Sequence, residues 1–153
     1  MTDNIPSTIE FYMITPRIRR LFAEVWATIP ENERFYLEGH LFCVEAGRHR
    51  EYHDDEPLKA GHSPPDGTIE LYQWKLKSDD WARYVIAHEL AHTFLHENID
   101  SAKYHLCTEY YSQIEAEADQ KAKAWGYERP WFILSSGTPT PEEAAKIHWR
   151  KVS

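Results

Sequence analysis

The N-terminal part of the chain has the hydrophobic pattern of an amphipathic helix. In PRIRRLFAEVWAT, apolar residues recur at i, i+3, i+4, i+7 and i+8 counted from Ile18. Pro16 suits the first turn of a helix, whereas Pro30 cannot continue one. The pattern therefore predicts a helix over about 16–29, with one face packed on the core.

Two short segments have the patterns of strands. HLFCVEAG (40–47) is a short apolar run, and GTIELYQW (67–74) alternates apolar and polar residues. The polar segment between them contains Pro and Gly, which indicates a loop over 47–67. The strand at 67–74 fits two positions: a sheet edge that pairs with an extended substrate, or the interior of the sheet.

Two long helices are predicted in the second half of the chain, before a short last one. Over 79–96, apolar residues lie on nearly every side, which is typical of a buried helix. Ser78 or Asp79 is its expected N-cap. SQIEAEADQKAKAW predicts a helix over 112–125, with Gly126 as a natural stop.

The remaining segments complete a predicted α+β domain. We expect residues 98–111 to be irregular, 137–141 to form a turn and 141–152 a short last helix that begins with Pro141. A helix, then strands, then helices is the order of an α+β protein. We therefore expect one domain over 1–153, with a small antiparallel or mixed sheet packed on the two helices of the second half.

Composition and charge narrow the classes of function. The chain has 153 residues, of which 42% are hydrophobic and 27% charged, as in ordinary globular domains. Its net charge of -8 argues against nucleic-acid binding. We expect no membrane partner either, since no apolar run reaches 18 residues. MTDNIPSTIEF lacks the pattern of a secretory signal, so we expect a cytoplasmic protein with reduced cysteines. The sequence favours no particular oligomeric state.

The motif H-E-x-x-H lies inside the predicted buried helix, at His88, Glu89 and His92. Helical residues four apart differ by about 40° in direction and ~6 Å in height, so both imidazoles can bind one cation. Glu89 lies beside that position, where a general base for water belongs. Buried imidazoles and a buried carboxylate are costly without partners, which favours a metal over histidines bonded to backbone carbonyls.

His96 continues the four-residue spacing but does not fit the same metal. It lies ~12 Å along the helix from His88, whereas Zn–N bonds measure only ~2.1 Å. We predict that His96 supports a ligand from outside the coordination sphere, or simply ends the helix, where a charged histidine is favourable. Leu95 and Asn98 occupy the positions where the metzincin pattern needs glycine and histidine, which excludes that class.

The third metal ligand is expected from IEAEAD in the 112–125 helix. Glu115 and Asp119 share a face, so one can bind zinc while the other orients a ligand histidine. Glu117 lies about 160° away and is expected to point elsewhere. The same residues also fit ordinary helical contacts: a capping box, Ser112-x-x-Glu115, and two ion pairs, Glu117–Lys121 and Asp119–Lys123.

AHELAHTFLH followed by E-x-E-A-D resembles the ImmA/IrrE-type metallopeptidases, which are small intracellular gluzincin-like proteins. The resemblance covers roughly residues 67–125 and implies a zincin-like fold. It assigns each motif residue a role: His88, His92 and Glu115 bind zinc, Glu89 is catalytic, Asp119 supports a ligand, and His96 matches a trailing histidine of open role. The chain departs from the family after this motif, where it reads QKAKAWG. The resemblance therefore implies no particular substrate or trigger.

The expected function is peptide-bond hydrolysis in an intracellular protein or peptide with one Zn²⁺. Water, activated by the metal, is the nucleophile, and Glu89 takes its proton and passes it to the leaving amine. Candidate donors to the oxyanion come from the tyrosine-rich segment: Tyr104, His105, Tyr110 and Tyr111. The alternative is a non-catalytic zinc-binding regulatory or partner-binding domain, in which His105 or Asp119 closes the site as a fourth ligand.

Overall fold

The structure is a computed structural model that describes residues 5–47, 61–62, 67–96 and 101–129. The turn predicted at 137–141 and the helix predicted at 141–152 lie outside the described residues, as does most of the loop predicted at 47–67.

The first helical segment is confirmed, and a second helix follows it. Helix α1 (Pro16–Thr28) is capped by Thr15, whose side chain accepts a hydrogen bond from the backbone N–H of Ile18. Its buried face carries the predicted apolar residues. Helix α2 (Glu31–Glu38) was not predicted, because Pro30 was taken only as a stop signal. Pro30 also occupies the position before α2, which its fixed φ allows.

In the described ranges, four strands form a small mixed sheet. They are β1 (Glu10–Tyr12), β2 (Cys43–Ala46), β3 (Gly61–His62) and β4 (Thr68–Leu71), in the order β1-β2-β4-β3. The pairs β1–β2 and β2–β4 are parallel, and only the two-residue β3 is antiparallel to β4. Strand β1 is too short for its periodicity to be read from the sequence.

Strand β4 lies in the interior of the sheet, between β2 and β3. The suggestion that it forms an edge is therefore wrong, and the alternative of an interior strand holds. It is also shorter than predicted, because Gln73–Lys75 form a turn of 3₁₀ helix. Ile69 and Leu71 are buried, as the alternating pattern predicts.

The most buried helix is α3 (Asp79–Leu95). Its N-cap is Ser78, whose side chain accepts from the backbone N–H of Trp81 at 3.4 Å, and Asp79 lies in its first turn. The helix contacts α1, α2, β3 and β4, as well as the helix that supplies Glu115. Contacts on several sides explain why its apolar residues follow no single stripe.

The segment expected to be irregular contains helices instead. Helix α4 spans Ser101–Leu106, and α5 spans Thr108–Ala124 with Cys107 as its N-cap. Ser112 is therefore inside α5, and the capping box proposed for it is wrong. The helix ends near Trp125, and Gly126 has a φ of +104°, as a glycine stop requires.

Helix α5 is tied to α2 by side chains. Glu33 accepts a hydrogen bond from Nε1 of Trp125 at 3.0 Å and forms an ion pair with Lys121. The ammonium group of Lys121 also lies 4.8 Å from the ring centroid of Phe94 on α3. Lys123 pairs with Glu128 at 3.1 Å.

Within the described ranges, no helix is long and apolar enough to cross a membrane.

Candidate metal centre

Helices α3 and α5 bring His88, His92 and Glu115 together. Nε2 of His88 lies 3.2 Å from Oε1 of Glu115 and 3.0 Å from Nε2 of His92. Nε2 of His92 lies 2.8 Å from Oε2 of the same carboxylate. The three side chains are only 7%, 11% and 14% exposed, respectively. Of all the described residues, these three form the group that meets the geometry of a metal site.

The donor set fits zinc. Ligand atoms ~2.0–2.1 Å from a tetrahedral zinc lie about 3.3 Å from one another. The ligand atoms of these side chains lie 2.8–3.2 Å apart, which is close to that value. Small outward movements of the side chains would therefore make room for the ion. Two imidazole nitrogens and a carboxylate oxygen are typical zinc donors, and three ligands leave one position open, as catalytic sites do.

A carboxylate on α5 holds the far nitrogen of His88. Nδ1 of His88 lies 2.8 Å from Oδ1 of Asp119, which is where a residue that orients this ligand belongs. The hydroxyl of Tyr84 donates to the same oxygen and lies 3.4 Å from Nδ1 of His88. Tyr84 was not among the predicted site residues, although its position one turn before His88 could have indicated it.

The far nitrogen of His92 faces another histidine. Nδ1 of His92 lies 3.0 Å from Nδ1 of His96, and Nε2 of His96 lies 2.9 Å from Oε1 of Glu117. His96 is also the C-cap residue of α3. Glu117 was expected to point elsewhere, but it contacts His96 and through it His92.

Glu89 is buried beside the cluster, against the edge of the sheet. A Cβ atom at position 61 would lie 2.9 Å from Cγ and 3.0 Å from Oε2 of Glu89. Only glycine allows the backbone of β3 to approach this carboxylate so closely. The strand that contacts the expected general base is thus β3, which the sequence analysis had placed in a loop.

Of the four candidate oxyanion donors, Tyr104 contacts the cluster. Its hydroxyl donates to Oε2 of Glu115 at 3.0 Å. The ring of Tyr111 lies 4.9 Å from that of Tyr104, and the ring of Tyr110 faces the ammonium group of Lys103. The side chain of His105 lies outside the described part of the structure.

The charges of the cluster are strongly coupled. Burial lowers the pKa of His88, but its hydrogen bonds to Asp119 and Glu115 outweigh this effect and raise the pKa to about 10. Burial raises the pKa of Glu115, but its contacts with His88 and His92 hold it well below its usual value. Burial and the negative charge of Glu115 raise the pKa of Tyr104. At neutral pH the metal-free site therefore holds a His88–Glu115 ion pair.

Comparisons with models of protein families, with curated proteins and with solved structures gave no match for this chain. The resemblance to the ImmA/IrrE-type metallopeptidases therefore rests on the motif residues alone.

Proposed function

We propose that this protein is a zinc-dependent endopeptidase with a zincin-like site. The observation that carries the proposal is the convergence of three largely buried side chains, His88, His92 and Glu115. The buried carboxylate of Glu89 lies close enough to act electrostatically on His88. Such a site with three protein ligands is typical of hydrolytic zinc. Bound zinc would polarise the scissile carbonyl and lower the pKa of a water molecule.

In this proposal Glu89 is the general base. It takes a proton from the attacking water and delivers it to the leaving amine. Its carboxylate adjoins Gly61, so the edge of the sheet fixes where that carboxylate can lie. A buried base that is fixed in this way loses little freedom when substrate binds, which favours catalysis.

Tyr104 is the donor that we assign to the developing oxyanion. Its hydroxyl already lies at the edge of the cluster, 3.0 Å from Oε2 of Glu115. A tyrosine carries its proton at neutral pH, and burial raises the pKa of Tyr104 further, so its hydroxyl can act as a hydrogen-bond donor. We propose an intracellular protein or peptide as substrate in a reducing compartment, a choice consistent with Cys43 and Cys107, which are not joined by a disulfide.

The alternative, a non-catalytic zinc domain, needs a fourth protein ligand. Asp119 contacts Nδ1 of His88, on the opposite side of the ring from Nε2, which faces Glu115. An Asp119 carboxylate held there orients His88 and does not occupy the fourth coordination position of the metal. This placement argues against Asp119 as that fourth ligand.

The test is hydrolysis of a peptide library by zinc-loaded wild-type protein and by Glu89→Gln. We expect the variant to keep its zinc and to lose at least about 100-fold in rate, as removal of a general base implies. His92→Ala should lose both its zinc and its activity. Glu109→Gln, an exposed change on α5, is the matched control and should cleave normally. Cleavage by Glu89→Gln at the wild-type rate would show that the mechanism is wrong.

A further inference from the structure

We propose that His96 and Glu117 are positioning residues that hold His92 with its Nε2 facing the metal. This inference rests on the zinc site proposed above. We call His92, His96 and Glu117 the histidine–glutamate relay, since their polar atoms lie in an unbroken series of contacts of 3.0 and 2.9 Å.

The direction of the hydrogen bonds follows from the carboxylate at the end of the relay. Glu117 can only accept, so a neutral His96 carries its proton on Nε2 and presents a lone pair at Nδ1. That lone pair accepts from Nδ1 of His92, which must then carry the proton. Nε2 of His92 is left with a lone pair on the side of His88 and Glu115, where a cation can take it.

Without a cation, the carboxylate of Glu115 favours the other tautomer of His92, with the proton on Nε2. It lies 2.8 Å from Nε2 of His92 and attracts a proton to that nitrogen. A cation bound by Nε2 of His92 excludes this proton. The proton of His92 then lies on Nδ1, from which Nδ1 of His96 accepts a hydrogen bond. The relay therefore stabilises the metal-bound arrangement of His92 specifically.

The two histidine ligands are thus supported differently. Nδ1 of His88 meets the carboxylate of Asp119 directly, whereas Nδ1 of His92 reaches a carboxylate only through His96. The side chain of His96 is 6% exposed, and that of Glu117 is 43% exposed. The relay therefore leads from the buried cluster toward the surface of α5.

A role limited to ending the helix would not need the imidazole. The C-cap contact is a backbone one: the N–H of His96 donates to the carbonyl of His92 at 2.7 Å. Any residue other than proline can make it. The ring contacts with Nδ1 of His92 and with Glu117 are additional, so the two roles are separable by substitution.

The experiment measures zinc affinity by competition with a chromophoric chelator. We compare the wild type with His96→Phe, which keeps a ring without nitrogens, and with Glu117→Gln, whose amide can donate as well as accept. We expect His96→Phe to weaken zinc binding about 10–100-fold and Glu117→Gln to weaken it less. His96→Asn should bind nearly as the wild type does, because its amide oxygen can accept from Nδ1 of His92. Glu109→Gln is the control on the same helix.

A second readout is nitrogen NMR of the histidine rings in the zinc-loaded protein. We expect protons on Nδ1 of His92 and on Nε2 of His96, with a coupling across the hydrogen bond between the two Nδ1 atoms. A helix-end role predicts no such coupling. Glu117→Gln should weaken the preference of His96 for its Nε2 tautomer. Because Glu117 is partly exposed, this variant still tests the proposal if His96→Phe does not fold.

Wild-type zinc affinity in both His96→Phe and Glu117→Gln, or the opposite tautomer of His96, would overturn the relay. Failure of the proposed function looks different: zinc binds and the relay variants weaken it, but no peptide is cleaved. If the wild-type protein binds no zinc, both proposals are wrong.

Discussion

Replacing Gly61 with alanine tests whether the edge of the sheet fixes the proposed general base. The added Cβ would meet Cγ of Glu89 at 2.9 Å and Oε2 at 3.0 Å, whereas carbon atoms in contact normally lie ~3.5–4.0 Å apart. Either the Glu89 side chain or strand β3 must move by about 0.6–1 Å to restore normal contacts.

The size of that shift sets the expected loss of activity. A misplacement of about 1 Å near the reacting atoms can cost ~100-fold in rate. We therefore expect kcat of Gly61→Ala to fall roughly 10–100-fold, which corresponds to about 1.4–2.7 kcal/mol of activation free energy. Zinc affinity should not change, because the clash is with Glu89 and not with a proposed ligand.

The assay is steady-state hydrolysis of a peptide identified by the library digest, together with zinc titration of the same samples. Gly39→Ala is the matched control, since its Cβ would lie an ordinary 3.6 Å from the carbonyl oxygen of Tyr36. It should retain wild-type kcat. Full activity in Gly61→Ala, or a change confined to KM, would refute the idea that β3 positions Glu89.

Two further predictions follow from the charged contacts. Zinc binding at pH 7 should release about one proton, because the pKa of His88 in the metal-free protein is about 10 and a ligand nitrogen must be unprotonated. Calorimetry in buffers of different ionisation enthalpy measures this release, and heats that do not depend on the buffer would contradict the His88–Glu115 ion pair. Glu33→Gln should destabilise the protein by roughly 1–2 kcal/mol in urea unfolding, because Glu33 accepts from both Trp125 and Lys121 and is only 13% exposed. The exposed Glu38→Gln on the same helix should change the free energy of unfolding by less than about 0.5 kcal/mol, and equal effects of the two substitutions would show that the tie between α2 and α5 contributes little.

The elements that the sequence predicted well are those with strong local signals. Helix α1 was predicted because its apolar residues repeat every three or four positions, and a helix turns every 3.6. Helix α3 was predicted as a buried helix from apolar residues on nearly every side and from an N-cap at Ser78 or Asp79. The errors occurred where local signals were ambiguous. Strand β1 has three residues, and Pro30 ends one helix just before another begins. The tyrosine-rich start of α5 was missed because tyrosine and threonine have only modest helix propensity. In the structure the rings of Tyr110 and Tyr111 contact Lys103 and Tyr104 of α4.

At the candidate site, the motif alone is enough to predict that His88 and His92 act as a pair, with Glu89 beside them. Residues one helical turn apart must share a face, so this geometry is a property of any helix that contains the motif. The shared face of Glu115 and Asp119 follows for the same reason.

The residues that this face contacts depend on how the helices and strands pack against one another. The position of α5 against α3 brings Glu115 to the two imidazoles and Asp119 to Tyr84, and it gives His96 a partner in Glu117. The close approach of Gly61 to Glu89 depends on the pairing of β3 with β4. These contacts join residues that are distant along the chain, and their geometry is set by packing between elements, which helical or strand periodicity does not encode.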